Sequence, residues 1–333
     1  MSGARAAHLL DGRIKITVPH GETGKRVDRF LASALGVSRS ELQRWMLHGR
    51  VTVEGVACRA ALRLREGEHV EVHPLGPEAT FAVADPAVRF DVIYVDDDVV
   101  VVDKPPGLVV HPARGHADGT LVNGLLALGL FGRDDLADPM DPQGYVRPGI
   151  VHRLDKGTSG VLVVARTSAA REALKAQFQA HTMERVYEAI IVGQLSARTF
   201  DTLHGRHPAD RLRFTSRVSS GKRAVTHVRV LADLGAATHV ECRLETGRTH
   251  QIRMHLAEGG APVLGDPLYG RTPRDPRVRA VSERLGHQAL HARVLGFVHP
   301  RTGSTMRFDI PPPVDFSRAL EALRVDEAVP GWS

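Results

Sequence analysis

Cysteine, lysine and long apolar segments are scarce in this sequence. Only Cys58 and Cys242 occur among 333 residues, which disfavours both a disulfide framework and a cysteine-based zinc site. The 18 histidines show no metal-ligand spacing, so we expect no metal. No apolar run approaches about 18 residues, and no basic-then-apolar leader is evident, which argues against a membrane span or a secretion signal. We therefore expect a cytoplasmic protein without a membrane partner.

Positive charge comes almost entirely from arginine, because only 6 of the 44 basic residues are lysines. The formal net charge of +6 favours an anionic partner, but it does not separate a nucleic acid from an acidic membrane surface. Arginine suits bidentate contact with phosphate. A GC-rich genome explains the same bias equally well.

A small module of two helices followed by short strands is predicted for residues 23–74. One apolar helical face begins at Val27. A second helix begins at Ser38, where Glu41 completes a capping box, and ends at Gly49. This order of elements resembles the S-four-like RNA-binding domain, which is named for a small-subunit ribosomal protein.

Arginines cluster on the second helix of this module. Arg39, Arg44 and Arg50 lie in or next to the helix, where they can meet phosphates. A solvated helix face explains the charge alone equally well, so RNA binding is what the resemblance implies. Alternating apolar residues predict the strands that follow, together with a short edge strand before the module. These alternating segments are 14–18, 51–58, 62–64 and 70–72.

The most informative segment is 149–166, which reads GIVHRLDKGTSGVLVVAR. The run from Val161 to Val164 predicts a buried strand, and a short segment rich in charged and polar residues precedes it. In an extended chain Arg153 and Asp155 point to one face. A carboxylate beside a guanidinium stays ionised at neutral pH, so it can act as nucleophile, base or electrostatic stabiliser. An ordinary surface ion pair is the alternative for so short a pattern.

Two further elements are predicted near this segment. Residues 92–102 predict a hairpin with a turn at Asp96–Asp98, and we assign these aspartates to the turn rather than to a metal. Lys104-Pro105-Pro106-Gly107 cannot continue a strand and predicts a fixed loop. A helix is predicted from Ser168 to about Ala180, and a second short helix after Pro313.

A strongly basic window runs from His204 to Arg229. It holds seven basic residues against one acid, Asp210, for a net +6, which equals the charge of the whole chain. A flexible arginine-rich loop is the alternative to an RNA contact, which we favour because polyanions gain affinity at such clusters. The residues we expect to bind RNA there are Arg211, Arg213, Arg217, Lys222 and Arg223.

Four segments, in order, resemble the RluA-type RNA pseudouridine synthases. Besides 149–166, they are VVDKPPGLVVHP (101–112), ERVYEAIIVG (184–193) and LETGRTHQIRMHLAEGGAPVLGDPLYG (244–270). The resemblance implies an α+β fold, in which a mainly antiparallel mixed sheet carries helices and loops around a central cleft. The N-terminal module is then a small α/β RNA-binding domain. One departure is Gly157, where members of the family usually carry Asp or Glu.

The resemblance also implies roles for individual residues. Asp155 is the catalytic carboxylate, Arg253 its basic partner and Tyr187 the aromatic residue that packs against the base. Arg153 enters the space that an extruded uridine leaves. No cofactor is implied, because the reaction is an isomerisation. The further substrate-binding residues that we expect are His152, Lys156, Thr249, His250 and Gln251.

The expected partner is RNA, namely 23S rRNA or the pre-50S particle, bound by a monomer. The segments 108–126, 204–214 and 222–230 resemble members of the family that modify the helix 69 stem-loop, at uridines 1911, 1915 and 1917. Another rRNA site or a tRNA is the alternative substrate. Glycoside hydrolysis usually needs a second carboxylate, and none is near Asp155 in sequence. A non-catalytic RNA-binding assembly factor is the alternative in a different class.

Domain boundaries follow from the same patterns. Residues rich in Pro, Ala and Gly without a clear period separate the module from the strand-dense remainder. The expected organisation is an N-terminal segment at 1–22, the RNA-binding domain at 23–74, a linker at 75–88, the catalytic domain at 89–315 and a C-terminal tail at 316–333.

Overall fold

A computed structural model describes residues 8–10, 13–37, 39–74, 83–112, 116, 118–131 and 149–324. At 8–10, 39–41 and 44 the description is of the backbone alone. The chain divides into two compact units, Met1–Ala79 and Thr80–Ser333. None of the helices among the described residues is both long enough and apolar enough to cross a bilayer.

The first unit packs two helices on an antiparallel sheet. Val27, Leu31, Leu42 and Val70 are fully buried in its core, so the apolar faces predicted for both helices meet the sheet. The strands run in the order β1-β2-β5-β3-β4. The elements are β1 (His8–Leu10), β2 (Arg13–Thr17), α1 (Val27–Leu35), α2 (Arg39–Leu47), β3 (Val51–Val53), β4 (Val56–Ala57) and β5 (His69–Val72).

Turn chemistry in this unit agrees with the sequence. Gly49 ends α2 with a φ of 67°, and Glu54-Gly55, with φ of 50° and 77°, closes the β3–β4 hairpin. Positive φ at both central residues gives the strand twist that a two-residue hairpin requires. The capping box was predicted at Ser38 and Glu41; Ser38 and the side chain of Glu41 lie outside the described residues.

Two expectations for this unit are wrong. The strand at 14–18 is not at the edge, because β2 pairs with β5 on one side and β1 on the other. Residues 62–64 form no strand of the sheet. Their backbone pairs instead with the segment that enters α1: Val27 N donates to Leu62 O, and Leu64 N donates to Lys25 O. That segment turns into a helix after two residues, so the pairing cannot extend.

The second unit is built on a ten-stranded sheet. The order is β11-β10-β12-β13-β9-β14-β8-β7-β6, and β15 also pairs with β14. Among these pairings only β8 with β14 is parallel, so the fold is the expected α+β class with a mixed, mainly antiparallel sheet. The strands are β6 (Asp91–Val95), β7 (Val99–Lys104), β8 (Ser159–Ala165), β9 (Glu184–Val192), β10 (Arg198–Arg206), β11 (Phe214–Thr215), β12 (Lys222–Asp233), β13 (Ala237–Leu244), β14 (Leu290–Val298) and β15 (Thr305–Asp309).

Helices cover this sheet and include both helices predicted from the sequence. The side chain of Thr167 caps the first, whose Leu174 is fully buried. The second follows Pro313, and the residues after 324 lie outside the described part of the chain. The helices are α3 (Leu121–Ala127), α4 (Ser168–Ala180), α5 (Gln251–Glu258), α6 (Pro276–Leu285) and α7 (Val314–Leu323).

The predicted hairpin is formed by β6 and β7, and its aspartates hold the turn. Asp96 Oδ1 accepts hydrogen bonds from the backbone N–H groups of Asp98 and Val99. Ligand atoms of Asp96, Asp98 and His299 lie within 4.8 Å of one another. However, His299 already hydrogen-bonds Asp96, and the guanidinium of Arg301 lies 2.5 Å from Asp98. This cation opposes a metal ion, so the cluster belongs to the turn.

Helix α5 is held on the sheet by a buried histidine. The two ring nitrogens of His255 share hydrogen bonds of 2.9 Å with the hydroxyls of Thr226 and Thr202. The ring also stacks on Phe200, with centroids 5.0 Å apart. Burial lowers the pKa of His255 to about 4. The neutral imidazole is therefore part of the folded structure.

We predict that acid weakens the fold through His255. The unfolded chain binds this proton near pH 6.5 and the folded chain only near pH 4, so stability is lost as pH falls between these values. One such group changes the free energy of unfolding by up to about 1.4 kcal/mol per pH unit. His255→Gln should flatten the dependence measured by urea unfolding at pH 4.5 to 7. An unchanged slope would contradict the prediction.

Candidate active site

The predicted carboxylate lies in a tight turn that leads into β8. Thr158 N donates to Asp155 O, which closes a turn that ends directly before the buried strand β8. Gly160 permits the close approach of β8 to β14. A Cβ at this position would lie 2.2 Å from Ala292 O, and its φ is +119°. This close contact fixes the position of the turn relative to the sheet.

A buried lysine fixes the turn from the other side. Lys104 Nζ donates to the carbonyls of Pro105, Leu108 and Lys156 at 2.8 to 3.2 Å. Gly107 N also donates to Lys156 O. Burial lowers the pKa of Lys104 to about 7, against the opposing charge of Asp155. The predicted fixed loop after β7 is thus attached directly to the turn that carries Asp155.

A buried arginine joins Asp155 to a second carboxylate. Arg253 Nη1 lies 2.7 Å from Asp155 Oδ2, while its Nε and Nη2 form a bidentate pair with Asp266 at 2.7 and 2.8 Å. Burial alone would lower the pKa of Arg253, but hydrogen bonding to Asp266 and the charges of Asp266 and Asp155 outweigh it and raise the pKa. Arg253 is therefore a permanent cation whose orientation is set by Asp266.

The two carboxylates differ in access. The Asp155 side chain is 16% exposed, whereas that of Asp266 is 0% exposed. Asp266 Oδ1 also accepts from the N–H groups of Leu268 and Tyr269. Burial alone would raise the pKa of Asp266, but the hydrogen bonds and charge of Arg253 outweigh burial, so the pKa is lowered overall. Asp155 faces the cleft, and Asp266 holds its partner.

Sequence reasoning missed Asp266. It treated Asp155 as having no second acid nearby, but Asp266 is one guanidinium away in space. This second acid is buried, and both of its carboxylate oxygens already accept hydrogen bonds from Arg253 or from backbone N–H groups. It therefore cannot serve as the acid or base of a hydrolase. Asp266 lies in the segment 244–270 that resembles the family, but nothing in that pattern shows that it faces Arg253.

Tyr187 and His250 complete a small cleft of about 60 Å³ around Asp155. Tyr187 lies on the central strand β9, between Cys242 of β13 and Ala292 of β14. Burial raises the pKa of Tyr187 against the opposing charge of Arg185, and the charge of Asp155 adds to the increase, so the phenol is neutral at pH 7. His250 Nε2 lies 3.8 Å from Asp155 Oδ1. The pKa of His250 is lowered, chiefly by burial.

Asp155 pairs with Arg253, the partner that the family resemblance implies, and not with Arg153 of its own segment. Arg153 is exposed, and among the described residues it makes no ion pair. Asp155 pairs with Arg253, 98 residues away, because the chain at 151–155 is irregular rather than a paired strand. Arg153 lines the cleft and remains open to solvent.

The other substrate-binding candidates differ in position. Gln251 is buried, and its amide bonds Thr246, Arg248, Val225 and Thr226. This side chain holds the start of α5 on the sheet.

His152 and Thr249 line the larger cavity beside Asp155, whereas Lys156 does not. His152 Nε2 accepts from Val163 N, and burial lowers the pKa of this histidine to about 3. The side chain of Lys156 is exposed and lines neither cavity at Asp155, and its carbonyl holds Lys104. Thr249 is exposed, and its carbonyl accepts a hydrogen bond from His204 Nε2.

The basic window is attached to the site by aromatic contacts. Phe214 N donates to the hydroxyl of Tyr269, which follows Asp266 in the next turn. Arg206 stacks over Phe214 at 4.5 Å, and Arg213 stacks over Tyr269 at 5.0 Å. The loop between β10 and β12 therefore borders the cleft.

Part of its positive charge is neutralised by neighbouring strands. Arg223 pairs with Asp201 and Glu245, and Arg229 pairs with Glu241. These acids precede or follow the window in sequence, so counting charge within the window overestimates the surface charge. The cations that are exposed there without an ion pair among the described residues are Arg206, Arg211, Arg217 and Lys222.

Of the three arginines predicted to bind RNA in the first unit, two lie on α2 and one follows it. Arg39 and Arg44 are on α2, with side chains outside the described part of the structure. Arg50 is exposed directly after this helix.

Gly157 has a specific steric reason. A Cβ at this position would lie 2.3 Å from Oε1 of the buried Gln288. The amide of Gln288 donates to Thr158 Oγ1 in the same turn. Gln288 therefore occupies the space that a side chain at position 157 would need.

Known proteins resemble both units. Residues 98–258 match the RNA pseudouridylate synthase family, and residues 25–70 match the S4 domain. An RNA pseudouridine synthase of Bacillus subtilis is 44% identical over 94% of this chain and 98% of its own length. Ribosomal large subunit pseudouridine synthase D of Xanthomonas campestris is 45% identical over 97% of each chain. The structure of human RNA pseudouridylate synthase domain containing 4 matches with a TM-score of 0.53 and 25% identity, over 70% of this chain and 92% of that one.

We predict that Asp266→Ala is strongly destabilising. Removal of one partner of a buried ion pair leaves Arg253 partly unpaired, which costs about 3 kcal/mol. Urea unfolding measures this loss. Asp201→Ala is the matched control, because it removes an arginine partner at an exposed site, and it should change stability little. Equal effects of the two substitutions would contradict the buried role of Asp266.

Gly157→Ala should also destabilise the fold, by about 1 to 3 kcal/mol, because the new methyl group overpacks the site against Gln288. In a Gln288→Ala background the same substitution should cost less, since the obstructing amide is gone. A double-mutant cycle by thermal or urea unfolding measures this coupling. Additive effects would show that Gln288 is not the obstacle.

Proposed function

Since the chain belongs to the RNA pseudouridylate synthase family, we propose that it isomerises uridines of large-subunit rRNA, in the helix 69 stem-loop at the three positions named above. Relatives named ribosomal large subunit pseudouridine synthase D, similar over nearly the whole chain, support this substrate. The match of residues 25–70 to the S4 domain supports an RNA partner.

The observation that carries the proposal is the ion pair of Asp155 with Arg253. A carboxylate 2.7 Å from a guanidinium that is itself fixed by Asp266 is held in one orientation. It is also the accessible carboxylate of the pair. We propose that Asp155 starts the reaction at the sugar and base of the target uridine.

The chemistry needs no cofactor or donor. The bond between ribose C1′ and uracil N1 breaks, and a bond between C1′ and C5 forms. C5 loses a proton and N1 gains one, so atoms and electrons balance within one nucleotide. What the protein must supply is a charged carboxylate, a cavity for the rotating base and a place for the proton.

Two further residues have proposed roles. Tyr187 packs against the base, and its hydroxyl, which makes no hydrogen bond within the described part of the chain, is available near C5. A uridine stacked in RNA must be extruded before it can react, which requires compensation for the lost stacking. We propose that Arg153, exposed at the rim of the cleft, occupies the vacated space, because a guanidinium can stack on bases.

The RNA surface extends from the cleft along basic residues. The β10–β12 loop borders the cleft through its contact with Tyr269, so Arg211 and Arg217 in the loop and Lys222 at the start of β12 are within reach of phosphates that flank the target. We propose that Arg39, Arg44 and Arg50 of the first unit also contact the RNA. Arg213 and Arg223 contribute to the RNA surface beside the cleft, although the charge of Arg223 is partly neutralised by Asp201.

We predict that Asp155→Asn abolishes pseudouridine formation and leaves RNA binding within about twofold of the parent, because one carboxylate among many phosphate contacts contributes little affinity. Release of tritium from carbon-5-labelled uridine in a helix 69 RNA measures the reaction, and filter binding measures affinity. Asp201→Asn is the control and should remain active. Activity of a purified Asp155→Asn variant would contradict the catalytic role.

The substrate is tested separately in cells. Pseudouridines are mapped in rRNA and tRNA from cells with and without the gene. Loss at helix 69 supports the proposed substrate. Loss only at another rRNA site or in tRNA would overturn the choice of helix 69 while leaving the activity intact.

A further inference from the structure

A second cavity adjoins the cleft at Asp155. Its volume is about 430 Å³, and Asp155, Tyr187 and His250 line both spaces. The new space opens between the end of α4 and the turn that precedes α5. Its walls carry the guanidinium groups of Arg153, Arg185 and Arg248, and among the described residues Asp155 is the one carboxylate that lines it.

Arg185 is the unusual residue of this cavity. It lies on β9 two residues before Tyr187, so both side chains are on the same face of the strand. It is only 7% exposed, yet no carboxylate of the described residues lies within 4.0 Å of its guanidinium. Nη2 donates to the carbonyl of Glu245 at 2.7 Å, and the buried Nε has no acceptor.

Comparison with Arg253 shows that Arg185 lacks a carboxylate partner among the described residues. Both arginines are buried near Asp155, but Arg253 has two carboxylates, whereas Arg185 has one carbonyl and the ring of Phe178, whose centroid lies 5.7 Å from its Cζ. A buried charge without a partner is strongly unfavourable, so such groups are normally paired. The free Nε and the cationic wall indicate an anion that arrives with the substrate.

The local field agrees with this view. Burial lowers the pKa of His181, and the charges of Arg185 and Arg248 lower it further. Burial likewise lowers the pKa of His152, and Arg185 adds to the effect. At His181 the opposing charge of Glu245 does not outweigh burial and these cations.

The turn before α5 is shaped around Arg185. A Cβ at Gly247 would lie 2.5 Å from Arg185 Nη1. Arg248, which follows, donates its Nε to Arg223 O and lines the cavity. The absence of a side chain at Gly247 lets the backbone close over the guanidinium.

We propose that this cavity binds a backbone phosphodiester next to the extruded uridine, with Arg185 as its buried contact and Arg248 and Arg153 at the rim. Arg185 is then a positioning residue, which fixes the nucleotide whose sugar meets Asp155. A guanidinium fork matches two phosphate oxygens, which a base carbonyl does not offer. The inference rests on the proposed function only in that an RNA uridine occupies the Asp155 cleft.

The test combines protein and RNA substitutions. Single methylphosphonates, which remove the charge of one phosphate, are placed on each side of the target uridine. The RNA is whichever segment loses its pseudouridine in the mapping experiment, so a wrong choice of helix 69 overturns the proposed substrate without affecting this test. Single-turnover rates and kcat/KM are measured for the parent, Arg185→Met and Arg185→Lys, and thermal unfolding monitors folding.

One position should lower kcat/KM of the parent by about tenfold, the effect of one charge-assisted hydrogen bond, and should have little further effect in Arg185→Met. The salt dependence of RNA affinity for Arg185→Met should fall by about one phosphate contact, a slope change of 0.7 to 0.9. Arg185→Lys, which keeps the charge, should lie between the two. Arg198→Met, at an exposed strand position, is the control and should behave like the parent.

A second variant covers the case in which Arg185→Met fails to fold. Gly247→Ala retains every charge but displaces the guanidinium, so it should lose sensitivity to the same methylphosphonate. The proposal is overturned if every methylphosphonate affects the parent and these variants equally, or if none affects the parent.

Discussion

The site depends on one guanidinium that is shared by two carboxylates of different access. Arg253 can be buried because Asp266 balances it, and Asp266 can be buried because Arg253 and two backbone N–H groups saturate it. Only with this pair complete does a third group, Asp155, gain a partner while keeping one edge in the cleft. The charge that faces the substrate is thus oriented by charges that never meet it.

The rest of the second unit brings three distant segments to this point. α5 carries Arg253, and its position is fixed by the polar bonds of Gln251 and His255 to β10 and β12. The turn with Asp155 is held by Lys104 and by the contact of Gly160 with β14. Tyr187 comes from the central strand β9. Each support is buried and hydrogen-bonded, so small changes there alter the geometry of the cleft without touching a substrate.

Local patterns were enough to predict what depends on neighbours in sequence. The helix at Ser168–Ala180, the hairpin of β6 and β7 and the buried strand at Val161–Val164 all follow from periodicity and turn residues. Long-range pairing was not predictable in this way. Residues 62–64 alternate like a strand but pair with the entry of α1. The basic window loses part of its charge to acids on neighbouring strands. Asp266 drew no attention because nothing near it in sequence shows that it faces Arg253.

Gly157 and Gly247 show that absent side chains also shape the site. The first leaves room for Gln288 beside the turn of Asp155, and the second leaves room for Arg185 beside Tyr187. Neither has the positive φ that would require glycine for its backbone, so both are explained by space. The two spaces are filled differently: a neutral amide bonded to Thr158, and a cation without a counter-ion. The half of the site near Arg253 is electrostatically complete in the protein alone. The half near Arg185 becomes complete only with an anion, which makes the two buried arginines opposite in function despite their similar surroundings.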